Sequence, residues 1–473
     1  MGQVKVLLVN PPQRNLVTNN IPSVVDEERG YNPPLGLLYV AAHARENTPH
    51  EIAVLDAVVL ELDYPALRER IAAARPDVVG VTATTFTLVD AALTIKLVKE
   101  INKDITVVLG GPHPYIYPDE SINLPGVDFL VIGEGEEVFS ALLNNLRDKD
   151  RLRKIPGLVY KDGGEVVNTG LPPLIDDLDS LPFPARDLTP YMKYNSLIAK
   201  TQPVTTMITS RGCPYRCLFC DRPHLGKRFR PRSARNVVDE MEQCAGMGIR
   251  EFLIYDDTFT VNRKRVFDIC AEIKSRGLEI GWDVRARVDT VTPDMLAAMK
   301  DAGCDRIHYG VESGSPEVIE TLRKGITVEQ VRRVFRETKD AGISILAYFM
   351  IGSPGETRAQ MEESMRLAEE LGPDYLHLSI TTPFPETDLY RMGFERGVLK
   401  EDYWREFAAD PRPGFIPKVW EEHLDRDELI RMLHKGYKDF YLRPGYIWKR
   451  LKGLKSLSDF KAKARAGLKV FKI

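Results

Sequence analysis

The sequence contains no run of about twenty apolar residues, so no segment of it reads as spanning a membrane. It opens directly on the strand-like VKVLLVN, without the charged-then-apolar leader that marks a targeting sequence. Cysteine is scarce, six in 473 residues, and Cys244, Cys270 and Cys304 stand singly. That usage excludes a secreted disulfide scaffold and places the chain in a reducing, cytoplasmic compartment. The three lone cysteines read as small buried hydrophobes on helices or strand ends. A strong excess of one charge is also missing, with a net charge of −3. The balance is uneven, however. Residues 441–473 carry ten Lys/Arg against Asp459 alone, leaving 55 Lys/Arg against 67 Asp/Glu in the rest. An acidic body argues against a nucleic-acid partner.

The other three cysteines are gathered in SRGCPYRCLFCDRP, with three residues between Cys213 and Cys217 and two between Cys217 and Cys220. Three thiolates on one tight loop can hold three corners of an iron–sulfur cube and leave the fourth iron open for chemistry on a bound molecule. A structural zinc site would need a fourth ligand, for which His224 is the near candidate, although zinc ligands usually come as two separated pairs. A ferredoxin-type carrier would need a fourth thiolate from far along the chain.

Residues 1–146 alternate apolar runs with helical patterns. Strands are expected at 4–10, 51–56, 78–84, 105–111 and 129–135, which makes a five-stranded, doubly wound parallel sheet. Ligands of such sheets bind beyond the carboxyl ends of the strands. Thr82, Thr84, Gly110, Gly111, Gly133 and Gly135 fall there and are the candidate cofactor contacts, the glycines admitting close backbone approach. Residues 147–200 read as a connector with a hairpin turning at Asp162-Gly163-Gly164. From 201 to 400 the alternation resumes, with strands at 205–210, 252–256, 280–285, 306–310, 344–352 and 375–380. Ser233, Thr292 and Thr327 are N-cap candidates, with Pro293 in the first helical position. Gly248, Gly277, Gly303, Gly342 and Gly372 close successive helices. Six such units predict a (β/α)6 sheet curved like part of a TIM barrel, with the cysteine loop after its first strand, on the face where barrels carry chemistry.

With that placement the chain resembles the cobalamin-dependent radical S-adenosylmethionine enzymes. The Cys-x3-Cys-x2-Cys spacing, the aromatic Phe219 before the last cysteine and the cobalamin-binding look of residues 1–146 carry the likeness. It implies three cofactors: a 4Fe-4S cluster on Cys213, Cys217 and Cys220, S-adenosylmethionine on its open iron, and cobalamin. It also implies a 5′-deoxyadenosyl radical that takes hydrogen from an unactivated carbon. By the same resemblance Phe219 packs near adenine, and Asp256 and Asp257 receive the substrate ammonium. Arg285 and Lys324 suit the methionine carboxylate, Glu312 in HYGVESGS meets the ribose hydroxyls, and FMIGSPGET matches the adenine-flanking segment. Better-known cobalamin proteins carry Asp-x-His-x-x-Gly. Here the corresponding loop reads Asp56-Ala57-Val58-Val59-Leu60, without His, and His113 reads as a polar loop residue before it reads as a substitute ligand. Methylthiotransferases share the cysteine motif but bring an N-terminal domain with cysteines of its own, and this chain has none before 213.

The activity expected is methylation of an unactivated carbon of a small-molecule or lipid substrate. The alternatives are radical ring formation and a non-catalytic cobalamin-binding module. A flavodoxin or ferredoxin would supply electrons. His377, Ser379 and the 381–387 loop offer a substrate surface that names no molecule. Residues 401–440 read as helical capping structure, and 441–473 as a basic amphipathic tail. Trp448, Leu451, Leu454, Leu457 and Phe460 recur every three residues, and Leu468 and Phe471 follow. That pattern suits either an anionic membrane surface or the chain's own acidic body.

Overall fold

A computed structural model describes residues 2–18, 30–196, 198–221 and 226–452. Its first sheet is built on β1 (Lys5–Asn10), β2 (Glu51–Asp56), β3 (Val78–Thr82), β4 (Thr106–Gly110) and β5 (Phe129–Val131), all parallel. Alternate residues of β1 feed opposite cores, Val6 and Leu8 on one face, Leu7 and Val9 on the other. Burial on both faces is why the strand reads as an unbroken apolar run. The order β2-β1-β3-β4-β5 reverses between β1 and β3, the point where open sheets leave a crevice at their carboxyl ends.

The expected hairpin forms as β6 (Leu158–Asp162) and β7 (Glu165–Asn168), but it does not lie in a connector. It pairs antiparallel with β5 and extends the sheet to seven strands. The physical reason is that Leu158, Val159 and Tyr160 bury completely at that edge, with the Tyr160 ring 5.6 Å from Phe129. The connector therefore starts beyond Asn168.

The second sheet holds β8 (Val204–Met207), β11 (Glu251–Ile254), β12 (Gly281–Ala286), β13 (Cys304–Glu312), β14 (Ser344–Ile351) and β15 (Tyr375–Ile380), in the order β15-β14-β13-β12-β11-β8. All neighbours are parallel, as six βα units require. Along β14, Ile345, Ala347, Phe349 and Ile351 pack under the helices, while Tyr348 and Met350 turn to the half-buried concave side. Ser233 and Thr327 cap their helices with side-chain hydrogen bonds. Thr292 takes the cap position but turns its hydroxyl to Asp294 and Arg263.

A half-barrel has open edges, and β15 is one of them. The helix Arg426–Tyr441 covers it with tyrosines four residues apart. Tyr437 Oη accepts from Leu378 N (3.1 Å) and donates to Leu378 O (2.9 Å), and Tyr441 does the same at Leu376. Four helical residues (about 6 Å) match two strand residues (about 6.6 Å), so each ring meets one peptide of the edge. The last described helix, Pro444–Lys452, exposes Ile447 and Trp448. Leu454, Leu457, Phe460, Leu468 and Phe471 lie outside the described residues.

Candidate active site

The chain leaves β8 and forms a two-residue strand, β9 (Ser210–Arg211), paired antiparallel with β10 (Arg230–Pro231). This ribbon closes the base of the cysteine loop. Asp256, just past β11, lies beneath it. Its carboxylate is fully buried and accepts from Thr209 N (2.6 Å), Thr209 Oγ1 (2.6 Å), Ser210 N (3.1 Å) and Ser210 Oγ (2.6 Å). These four bonds make it a strut beneath the ribbon.

Arg211 and Arg230 fix the ribbon from the other side. Glu134 takes Arg211 at 2.9 Å and Arg230 at 2.8 and 2.9 Å, and Glu136 takes the second arm of Arg211, all four side chains buried. Burial would raise the Glu134 carboxyl, but the two guanidiniums outweigh it and hold it below its ordinary range. Gly133 and Gly135 flank Glu134 of this junction. A Cβ on Gly133 (φ 82°) would lie 2.7 Å from Pro172 of the connector, and one on Gly135 would lie 3.3 Å from Val131.

None of the six cysteines is in a disulfide, and the loop trio is half-buried. Cys213 Sγ lies 3.9 Å from Thr258 Oγ1, and Cys217 Sγ lies 3.9 Å from Arg287 Nη1. Burial pushes the Cys217 thiol up, opposed by Lys324 and Arg287. Phe219 faces the Lys324 ammonium at 5.8 Å and packs with Leu218, Leu389 and Trp420. Cys244, Cys270 and Cys304 lie in the core beneath the helices, where burial raises their thiols, so none can supply a fourth thiolate to the loop. Among the described residues no three His, Cys, Asp or Glu side chains gather as a single metal ion would need, and His224 lies outside those residues.

Glu312 ends β13 in the left-handed region (φ 69°) and pairs with Lys324 at 2.6 Å, both buried. The two residues expected at separate groups of one ligand thus first meet each other. A Cβ on Gly310 would strike both, which is why glycine stands there. Arg285 stacks on Tyr255 at 4.0 Å, deeper on the concave face, and Asp257 lies half-buried beside Thr258. The same face carries His308, 3.1 Å from Tyr348 Oη, and His377 edge-on to Tyr348 at 5.3 Å. Ser379 leans on Phe349 O at 3.4 Å, and Thr381, Thr382 and Thr387 are buried. Sequence reasoning missed Arg287, Thr258, Tyr215 and Glu356. Arg287 had a signal: it falls two residues after Arg285, just past the carboxyl end of β12, where this sheet carries its chemistry.

At the first sheet's carboxyl edge, Thr84 and Thr87 form a capping box. Gly111 (φ 99°) packs against Ala83 O, 2.6 Å from where a Cβ would stand, and against Thr82. Gly110 alone has room, its nearest neighbour being Val131 O at 3.8 Å. Asp56 accepts from Asn10, Val58 and Tyr194. His113 is no surface loop residue. It is fully buried, Nδ1 lies 3.1 Å from Thr85 Oγ1, and burial lowers its pKa to about 3. Its Nε2 has no hydrogen-bond partner among the described residues. Contacts that bring the two carboxyl edges together include Asn32 to Tyr255 (3.3 Å), Phe86 to Phe384 (5.5 Å) and Glu134 to Arg211.

Residues 207–368 match the model of the Radical SAM superfamily, and residues 22–143 that of the B12 binding domain. The chain is 36% identical to an uncharacterised methyltransferase of Pyrococcus horikoshii, with 95% of each covered. It is 29% identical to the anaerobic magnesium-protoporphyrin IX monomethyl ester cyclase of Rubrivivax gelatinosus, over 94% of this chain and 78% of that one. Among solved structures it is similar to TsrM, a radical S-adenosylmethionine methyltransferase of Kitasatospora setae. The TM-score there is 0.68 at 23% identity, over 85% of this chain and 80% of that one.

Proposed function

The chain belongs to the cobalamin-dependent radical S-adenosylmethionine enzymes, and on that premise we propose that it methylates an unactivated carbon of a small molecule. The observation that carries the reading is the double anchoring of the cysteine loop. Asp256 ties its base to the half-barrel, and Glu134 ties it to the first domain, so the loop stands where the two carboxyl edges meet.

The residues fit the family's cofactors. Three cysteines without a fourth suit a 4Fe-4S cluster with one open iron. The threonine rim at 84, 85 and 87 and the open Gly110 suit the amide-bearing edge of a corrin. When bound, the cluster and S-adenosylmethionine supply hydrogen abstraction, and cobalamin supplies the methyl group. The protein's own part is positional. Glu312 and Lys324 present an oriented charge pair beside Phe219, and the aromatic concave face holds the substrate away from water. A flavodoxin- or ferredoxin-like protein would reduce the cluster. The exposed Ile447 and Trp448 support contact of the basic tail with an anionic surface, as a lipid substrate would require. Unchanged binding of Trp448→Asp to anionic vesicles would argue against that contact.

Ring formation is the second reading, favoured by the cyclase relative. Anaerobic incubation of the reconstituted chain with methyl-labelled S-adenosylmethionine and a metabolite extract separates the two. Label in a new product is expected. A product formed without label would replace methylation by cyclisation.

A further inference from the structure

We infer that Arg287 is a positioning residue for the cluster: it fixes Cys217 and makes the cluster easier to reduce. The inference rests on the reading of Cys213, Cys217 and Cys220 as cluster ligands. Arg287 leaves β12 on the concave side, and its side chain is only 7% exposed. Asp289 grips one edge of the guanidinium, Nε and Nη2 each at 2.9 Å. The carbonyl of Lys324 takes Nη2 at 2.6 Å. The ring of Tyr215, which lies between Cys213 and Cys217, stacks on its plane at 3.8 Å. Three constraints thus orient a rigid fork, and the arm left over, Nη1, points at Cys217 Sγ from 3.9 Å.

A guanidinium stays charged at any working pH, and its planar fork holds direction where an ammonium would swivel. Hydrogen bonds to ligating sulfurs and positive charge nearby both favour the more negative, reduced state of a cluster. A second cation near Cys217, Lys324, already faces the Glu312 carboxylate. Asp289 offsets part of the Arg287 charge from the far edge, so the two residues should act on the cluster in opposite directions.

The test uses the full chain, reconstituted anaerobically, with iron content, the cluster's midpoint potential by EPR-monitored titration and S-adenosylmethionine affinity all measured. Arg287→Gln is expected to shift the midpoint to a more negative potential, and Asp289→Asn to a more positive one. Arg287→Lys, which keeps charge without the fork, should fall between wild type and Arg287→Gln and carries the test if Arg287→Gln fails to load. An unchanged midpoint at full iron content overturns the inference. So does an unchanged midpoint with weakened S-adenosylmethionine binding, which would make Arg287 a ligand of that molecule. If the wild type takes up no cluster, the cysteine reading itself fails.

Discussion

Glu356 sits in the GSPGE loop past β14, almost wholly buried, and takes Ser353 N on one oxygen at 2.8 Å. Its other oxygen has no hydrogen-bond partner among the described residues, and burial raises the carboxyl from 4.5 to about 7. Between those values the folded chain holds a proton that the unfolded chain releases. Stability therefore falls as pH rises through the window, by about 3 kcal/mol across it. Denaturant midpoints between pH 5 and 8 should drop less in Glu356→Gln than in wild type, and equal slopes would contradict the assignment. Cys217→Ser should lose cluster iron while keeping the far-ultraviolet spectrum of the folded chain. At this scale the three cysteines were legible because their spacing is local. Asp256 was not, because a carboxylate at a strand end reads the same whether it faces a ligand or turns under the neighbouring loop. His113 misled for a similar reason: a Gly-Pro setting looks exposed until helices close over it.

The elements bearing the site are joined by buried charge. Glu134 holds two arginines of the β9–β10 ribbon, and removing one partner of a buried pair typically costs about 3–5 kcal/mol. Glu134→Gln should therefore lower the denaturation midpoint of the apo chain markedly and reduce iron uptake together with it. Loss of stability with full iron uptake would separate the junction from the loop. At the other edge, Tyr437→Phe removes both bonds to Leu378 and should cost about 1–2 kcal/mol, read by chemical denaturation, with Tyr441→Phe alike. The six βα units were legible because caps and closing glycines punctuate them. The partner of the 158–168 hairpin was not, since a hairpin pattern does not say which sheet edge it will join.

At the scale of the molecule, a mixed sheet with a parallel five-stranded body and a parallel half-barrel meet carboxyl edge to carboxyl edge, and the cysteine loop is fastened to both. No helix among the described residues is long and apolar enough to cross a membrane. The domain order was readable from hydrophobic rhythm; the facing of the edges was not, because it depends on contacts such as Phe86 with Phe384 that lie far apart in sequence. The central claim is that this loop carries a radical-generating cluster. Its most direct test is 5′-deoxyadenosine formation by the anaerobically reconstituted, reduced chain given S-adenosylmethionine. The product is expected from wild type, and none from the variant with Cys213, Cys217 and Cys220 all replaced by Ala. Equal formation by that variant, or none by a wild-type chain loaded with its cluster, would contradict it.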